Sequence, residues 1–210
     1  MKRILEIFGK IAFACFTIFI AYIGVIHFYY SIFPQKRAEK ILKDEAKYNF
    51  YNYSPKKTET RKANLFDLVA CKHFNEYKNK FSHIKFDINS LSSDIRLYED
   101  LMKISKDFDS DSYKNYKQTR DNYIRQKKHL EDSYKNFIDS LKNEIQSAKD
   151  STFDCIFIDH TFLWNKNKDY GYSVGVYSNK EKRLLTSTFI ENVFEWSYFD
   201  DFLDILSSDE

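Results

Sequence analysis

The stretch IAFACFTIFIAYIGVIHFYY, residues 11–30, contains no Lys, Arg, Asp or Glu, although 30% of the chain is charged. A helix rises about 1.5 Å per residue, so twenty residues span about 30 Å, the thickness of the hydrocarbon core of a bilayer. A helix also satisfies its own backbone hydrogen bonds, as a membrane requires. The stretch therefore predicts a transmembrane helix inside an anchor of residues 1–34.

The residues around this stretch favour an uncleaved anchor. Phe28, Tyr29 and Tyr30 stand where an interfacial aromatic belt is expected, and Pro34 ends the helix where water begins. A cleaved secretory signal has a shorter apolar region, about 7 to 15 residues, followed by a small-x-small cleavage site. The sequence shows neither feature, so we predict a single-pass signal-anchor in the lipid bilayer.

Two features disagree about the orientation of this anchor. The short basic tail of Lys2 and Arg3 is typical of an N-terminus that stays in the cytoplasm, which places residues 35–210 on the other side. Lys and Arg are more numerous on the C-terminal flank, however, and this favours the opposite orientation. We expect the first arrangement, with the bulk of the chain extracytoplasmic, and periplasmic if the source is bacterial.

Small residues recur along one face of the predicted membrane helix. They fall at spacings of three and four, and are Ala14, Thr17, Ala21 and Gly24. A face without large side chains lets two membrane helices approach closely, which predicts a helix contact face. Small residues are also common in membrane helices that have no such contact, so both interpretations stand.

The composition excludes several classes of protein. Lys and Arg number 33 against 31 acidic residues, so the chain lacks the basic field that neutralises phosphates, and we predict no nucleic-acid binding. With four Gly in 210 residues, Gly-rich phosphate loops are nearly excluded, and the sequence has no nucleophile elbow, dinucleotide fingerprint or zinc motif. We predict no cofactor, no metal and no enzymatic activity.

The cysteines allow two interpretations. Cys15 lies in the apolar stretch, which leaves Cys71 and Cys155 in the aqueous part. If this part is exported, the two predict a disulfide; if it is cytoplasmic, they predict buried thiols. Cys155 and His160 also suggest a nucleophile and its base, but residues five apart on a strand point to opposite faces, so we expect structural roles for both.

Residues 35–83 are predicted to form a juxtamembrane helical region. The segment 37–53 is either a continuation of the anchor or a second short helix, and SPKKTET (54–60) is predicted to be a loop. A further helix is predicted over residues 61–81. Its apolar stripe consists of Phe66, Ala70, Phe74, Tyr77 and Phe81.

Residues 84–149 carry a heptad pattern that predicts a coiled coil or helical hairpin. Apolar residues alternate at steps of four and three, which makes a narrow seam. The predicted seam contains Ile88, Leu91, Ile95, Tyr98, Met102, Leu130, Tyr134, Phe137 and Leu141. The pattern changes phase near residues 106–112, so an antiparallel hairpin is the simplest structure and a single bent rod is the alternative.

Residues 150–210 predict a small α+β domain. The segments TFDCIFI (152–158), YGYSVGVYS (170–178) and RLLTSTFI (183–190) are rich in aromatic and β-branched residues, which indicates about three antiparallel strands. An amphipathic helix follows, with Phe199 and Phe202 on its apolar side, and is expected to lie on the sheet. The predicted fold class is therefore mainly α, with this small domain at the C-terminal end.

Two functional hypotheses follow from these features. The first is a membrane-anchored coiled-coil scaffold that recruits protein partners, including a second copy of itself as a homodimer, at the cell envelope, for example in a secretion, conjugation or lysis assembly. The second is a membrane-tethered ligand-sensing or enzymatic module whose site is the C-terminal sheet. The anchor, the heptads and the lack of catalytic motifs favour the first hypothesis.

Overall fold

The computed structural model of the chain describes residues 2–106, 109–148 and 153–208. In these residues the protein is mainly helical and contains one four-stranded sheet. The helices are α1 (Lys2–Ile32), α2 (Pro34–Asn49), α3 (Leu65–Phe81), α4 (Ile84–Ser105), α5 (Ser110–Ala148) and α6 (Val193–Ser207). The strands are β1 (Ser54–Lys62), β2 (Cys155–Trp164), β3 (Asp169–Ser178) and β4 (Arg183–Ile190).

The chain divides into two compact units. The sheet unit consists of Met1–Ala63 with Asp154–Phe189, and the helical unit consists of Asn64–Phe153 with Ile190–Glu210. The predicted α+β domain of residues 150–210 is therefore shared between the two units. Its strands β2 and β3 belong to the sheet unit, whereas α6 belongs to the helical unit.

Helix α1 contains the apolar stretch identified in the sequence. Residues Ile11–Tyr30 have a mean hydropathy of 2.2, and the side chains of this stretch are not buried. The helix is thus long enough and apolar enough to cross a bilayer.

Helix α2 covers one face of the sheet. It begins at Pro34, whose fixed φ suits the first turn of a helix and whose missing N–H is not needed there. Ala38, Leu42 and Ala46 recur every four residues and are all buried. Ala38 and Leu42 pack with Ile158 and neighbouring residues of the sheet, so α2 and the sheet share one core. The second short helix predicted after the anchor is confirmed.

The sheet has four antiparallel strands in the order β1-β2-β3-β4, whereas three were predicted. The additional strand is β1, which contains the segment 54–60 that was predicted to be a loop. It pairs with β2 from Ser54 opposite Leu163 to Lys62 opposite Ile156. β1 lies at the edge of the sheet, where Pro and Lys are tolerated, so it lacks the apolar alternation that identifies other strands.

The helical unit is built around α3. Asn64 caps this helix by accepting a hydrogen bond from the backbone N–H of Asp67, and the Asp67 carboxylate accepts one from the Asn64 N–H in return. α6 packs on α3 through aromatic pairs, with the rings of Phe74 and Phe199 5.1 Å apart. The expectation that α6 lies on the sheet is corrected by these contacts, because its buried side chains meet α3 and α5.

Helices α4 and α5 lie against each other. α4 ends at Ser105 and α5 begins at Ser110, inside the region where the sequence predicts a turn. The Tyr98 ring on α4 lies 6.1 Å from Tyr116 and 5.7 Å from Tyr123 on α5. The two helices are therefore paired, whereas their packing as a coiled coil remains a prediction.

Candidate interaction surface

The longest exposed structure in the helical unit is an arm, which we define as α4 together with residues 110–130 of α5. Of the 22 residues in α4, only Ile84, Met102 and Ser105 are buried. The buried residues of α5, Ile138, Leu141 and Ile145, all lie beyond residue 130. Within the described residues, the middle of the arm is consequently a pair of helices without a third layer, and none of its side chains is fully buried.

The predicted seam residues lie on the less exposed side of the two helices. Met102 and Leu141 are buried. The others are half-buried, namely Ile88, Leu91, Ile95, Tyr98, Leu130, Tyr134 and Phe137. This placement agrees with a seam that faces the partner helix, although the coiled-coil assignment itself stays a prediction.

Two charged side chains occupy seam positions of α5 and weaken the packing of the arm. The Arg120 guanidinium donates to the neighbouring Asp121 carboxylate, with Nε 3.0 Å from Oδ1. The Lys127 ammonium lies 3.7 Å from Glu131. Both basic side chains are only about a quarter to a third exposed, so they take space that apolar residues fill in a stable coiled coil.

The arm exposes a second set of apolar residues on the other side of α4, which we call the outer stripe. Phe86 is 73% exposed, Leu97 is 54% exposed and Ile104 is 67% exposed. At about 100° per residue, spacings of 11 and 7 residues return to nearly the same direction on a helix. The three side chains therefore form one line, about 27 Å long, opposite the seam.

The outer stripe was missed in the sequence because the heptad pattern of α4 already accounted for an apolar face. Its spacing of 11 and then 7 residues is the signal that identifies it. Isolated exposed apolar residues are normal on protein surfaces; these three are distinguished by sharing one face of one helix, which makes them a candidate interaction surface.

The surface of α5 in the arm is basic. Between residues 113 and 128 it carries six basic residues and one acidic residue, Asp121. Lys114, Lys117 and Arg125 line a shallow groove together with Ile124, which is 42% exposed. The arm thus offers an apolar line on one helix and a basic surface on the other.

The predicted contact face of the membrane helix lies on exposed parts of α1. Ala14, Thr17, Ala21 and Gly24 are all exposed in the single chain. The Thr17 hydroxyl donates to the Phe13 carbonyl, 2.9 Å away, so its polar group is satisfied within the helix. A Cβ atom added at Gly24 meets no heavy atom within 4 Å. The face is available to a second helix, and its use stays a prediction.

The sheet unit contains a buried polar cluster around His160, which is fully buried. The His160 Nδ1 lies 2.9 Å from the Lys57 carbonyl, which can only accept, so Nδ1 carries the proton and donates. Nε2 then accepts from the Tyr53 hydroxyl at 2.6 Å. Burial lowers the pKa of His160 and raises the pKa of Tyr53 to about 12. Both groups are neutral at pH 7 and hold β1 and the segment before it onto β2.

The two aqueous cysteines are both buried thiols in the structure. Burial raises the pKa of the Cys155 thiol, which makes it a poor nucleophile at neutral pH. Cys155 and His160 are both buried on β2, and their position on opposite faces of the strand stays a prediction from their spacing. A disulfide between Cys71 and Cys155 stays a prediction.

Neither a metal centre nor a known relative identifies a reaction for this chain. Within residues 2–106, 109–148 and 153–208, no group of three or more His, Cys, Asp or Glu is placed to hold a metal ion. No protein-family model, curated protein or solved structure matches the chain. Within the described residues of the helical unit, the arm is the surface that combines an exposed apolar line with a basic face.

Proposed function

We propose that the protein is a single-pass membrane-anchored scaffold whose arm recruits protein partners at the cell envelope, including a second copy of the chain. The observation that carries this proposal is the outer stripe of Phe86, Leu97 and Ile104. Helix α1 supplies the anchor and the helical unit supplies the base on which the arm is fixed. The chain acts by binding and has no enzymatic activity of its own.

The outer stripe suits a helical or extended partner with apolar anchors. Complete burial of one Leu, Ile or Phe side chain contributes about 1.5 to 3 kcal/mol, so three give roughly 5 to 9 kcal/mol before the cost of association. The basic surface of α5 favours acidic residues at the rim of the partner's binding surface. The arm is thus expected to form a weak, specific contact.

The proposal is tested by charge substitutions on the two sides of the arm. Leu97→Asp places a carboxylate in the outer stripe, where more than half of the side chain is exposed, so the fold is expected to remain intact. Asn122→Asp introduces the same charge at an exposed position of α5 and serves as the control.

Photo-crosslinking in membranes reports the contact directly. A photoreactive amino acid at position 86 is expected to give a defined protein adduct, which Leu97→Asp abolishes and Asn122→Asp retains. An adduct whose size is twice that of the chain identifies a second copy. Adducts that persist in the Leu97→Asp variant would exclude the outer stripe as the binding surface.

The second hypothesis, a ligand-sensing or enzymatic module in the sheet unit, makes a different prediction. Leu91 and Leu130 line one groove, so the chain between them can be replaced by a short Gly-rich linker that removes most of the arm, including Leu97 and Ile104. A scaffold loses partner capture after this deletion, whereas a sensor or enzyme in the sheet unit keeps its response. This deletion separates the hypotheses more cleanly than removal of residues 150–210, which would damage both units.

The extracytoplasmic location is also part of the proposal and needs its own test. Because Cys71 and Cys155 are buried, neither reports the side of the membrane well. A cysteine introduced at exposed Lys166, between β2 and β3, avoids this difficulty. We expect an impermeant thiol reagent to label Lys166→Cys in intact cells. Labelling that requires lysis would place the bulk of the chain in the cytoplasm.

A further inference from the structure

A cavity of about 420 Å³ lies in the sheet unit, where the apolar helix α1 ends. One wall is formed by Ile32 and Phe33, which follow the apolar stretch directly. Ile156, at the start of β2, also lines the cavity. The volume falls in the range of about 300 to 1,000 Å³ that is typical of small-molecule sites.

Charged side chains of both signs line this junction cavity. Lys36 and Lys62 supply two ammonium groups, and Asp154 supplies one carboxylate. Lys36 also pairs with Glu39 at 3.0 Å, whereas the Lys62 side chain lies at the exposed end of β1. The cavity therefore presents both positive and negative charge to one ligand.

Asn179 positions the Asp154 carboxylate beside the cavity. Its Nδ2 donates to Asp154 Oδ1 at 2.8 Å, which fixes the orientation of both groups. The Asn179 Oδ1 has almost no accessible surface, so a ligand in the cavity does not reach it. The acceptor that the cavity offers to a ligand is therefore the Asp154 carboxylate.

We propose that the junction cavity binds a primary-amine phosphate ester, the headgroup chemistry of phosphatidylethanolamine. The phosphate lies between Lys62 and Lys36, and the ammonium donates to the Asp154 carboxylate. Acyl chains extend along Ile32 and Phe33 towards the bilayer. This inference rests on the proposed membrane anchoring, since a lipid reaches the cavity only if α1 spans the membrane.

The Asp154 carboxylate makes the proposal specific. A primary ammonium donates hydrogen bonds to this carboxylate, whereas the quaternary ammonium of a choline headgroup has no N–H to donate. Phosphatidylcholine carries the same charges and the same acyl chains, so it is a matched control ligand. A cavity that merely takes up apolar chains does not distinguish the two lipids.

Cys155 lines the cavity, and although its buried thiol reacts slowly, a change in its alkylation rate in detergent reports the occupancy of the cavity. In the full chain with Cys15→Ala and Cys71→Ala, Cys155 is the single remaining cysteine. Its alkylation by a small maleimide is measured by mass spectrometry in detergent, with dihexanoyl phosphatidylethanolamine, dihexanoyl phosphatidylcholine or O-phosphoethanolamine added. We expect the ethanolamine lipid at four times its Kd to slow alkylation about fivefold. The choline lipid leaves the rate unchanged.

Two substitutions link this protection to the proposed contacts. Lys62→Gln removes a charge that faces the phosphate and is expected to raise the half-protecting concentration about tenfold. Asp154→Leu removes the accessible acceptor and with it the selectivity for ethanolamine over choline. The control Lys166→Gln makes the same change as Lys62→Gln in the exposed segment between β2 and β3, and retains full protection.

The outcomes separate the sources of the headgroup. Protection by the lipid alone supports a membrane lipid as the ligand, whereas equal protection by O-phosphoethanolamine supports a soluble phosphate ester. Equal protection by both lipids, or an unchanged response in Lys62→Gln, overturns the proposal. If alkaline carbonate releases the chain from membranes, the proposed membrane anchoring is wrong. This result is distinguishable from a cavity that does not bind the lipid, which the alkylation assay reports.

Discussion

Tyr53→Phe is expected to destabilise the sheet unit through the loss of a single hydroxyl. The Tyr53 hydroxyl donates to His160 Nε2 at 2.6 Å, and His160 is fully buried. The aromatic ring at position 53 lies 5.3 Å from that of Phe162 between centroids, and the variant retains this contact, so the apolar packing changes little. The variant leaves a buried ring nitrogen without a donor, and we expect the free energy of unfolding to fall by about 1 to 3 kcal/mol.

Urea denaturation of the full chain in detergent measures this loss. Trp164 lies 5.3 Å from Phe50 and reports on the sheet unit, provided that Trp196 is first replaced by Phe. Tyr51→Phe removes the same hydroxyl from a side chain that is 69% exposed, and is expected to change stability by less than about 0.5 kcal/mol. An equally small effect in Tyr53→Phe would refute the assignment of this hydrogen bond as a structural one.

The same cluster predicts the direction of the pH dependence. Burial lowers the pKa of His160 below its ordinary value of 6.5, which the unfolded chain keeps. The unfolded state therefore binds a proton first as the pH decreases, and stability falls by up to about 1.4 kcal/mol per pH unit below about pH 6.5. His160→Phe is expected to flatten this fall, whereas replacement of exposed His129 by Asn leaves it unchanged.

Two further substitutions test the packing of the sheet and the start of α3. Gly171→Ala places a Cβ atom 2.7 Å from Cε2 of Phe162, so the aromatic ring must move, and the midpoint of urea unfolding is expected to decrease by the equivalent of about 1 to 3 kcal/mol. Asn64→Ala removes the cap of α3 and is expected to cost about 1 kcal/mol, measured by thermal unfolding of the helical signal in circular dichroism. Asn64→Ser retains a capping oxygen and is expected to restore most of that loss.

The elements with a long or regular apolar pattern were predictable from the sequence. The apolar stretch of α1 is recognisable by its length and the stripe of α3 by its helical period, and both occur as helices. β1 was not predictable, because none of its nine residues is apolar apart from Pro55 and it lies at the edge of the sheet. Its pairing with β2 becomes visible only when residues about 100 apart in sequence are brought together.

The candidate site was predictable only in part. The seam spacing indicates which side of α4 faces α5, because residues such as Ile95 and Tyr98 recur at steps of three and four. The outer stripe does not follow from that period, and its meaning depends on the absence of a third helix over the middle of the arm in the described residues. Which apolar face remains uncovered is a property of the tertiary structure.

In the proposed scaffold, the weakness of the contact expected at the outer stripe gives the membrane anchor a physical role. Roughly 5 to 9 kcal/mol from three side chains is of the same size as the cost of bringing two proteins together from solution, so the stripe alone supports little association in free solution. If α1 holds two chains in one membrane, their confinement raises their effective concentration. We then expect a stripe as short as Phe86 to Ile104 to be sufficient for occupancy. In that arrangement α1 would supply the concentration and the arm would supply the specificity.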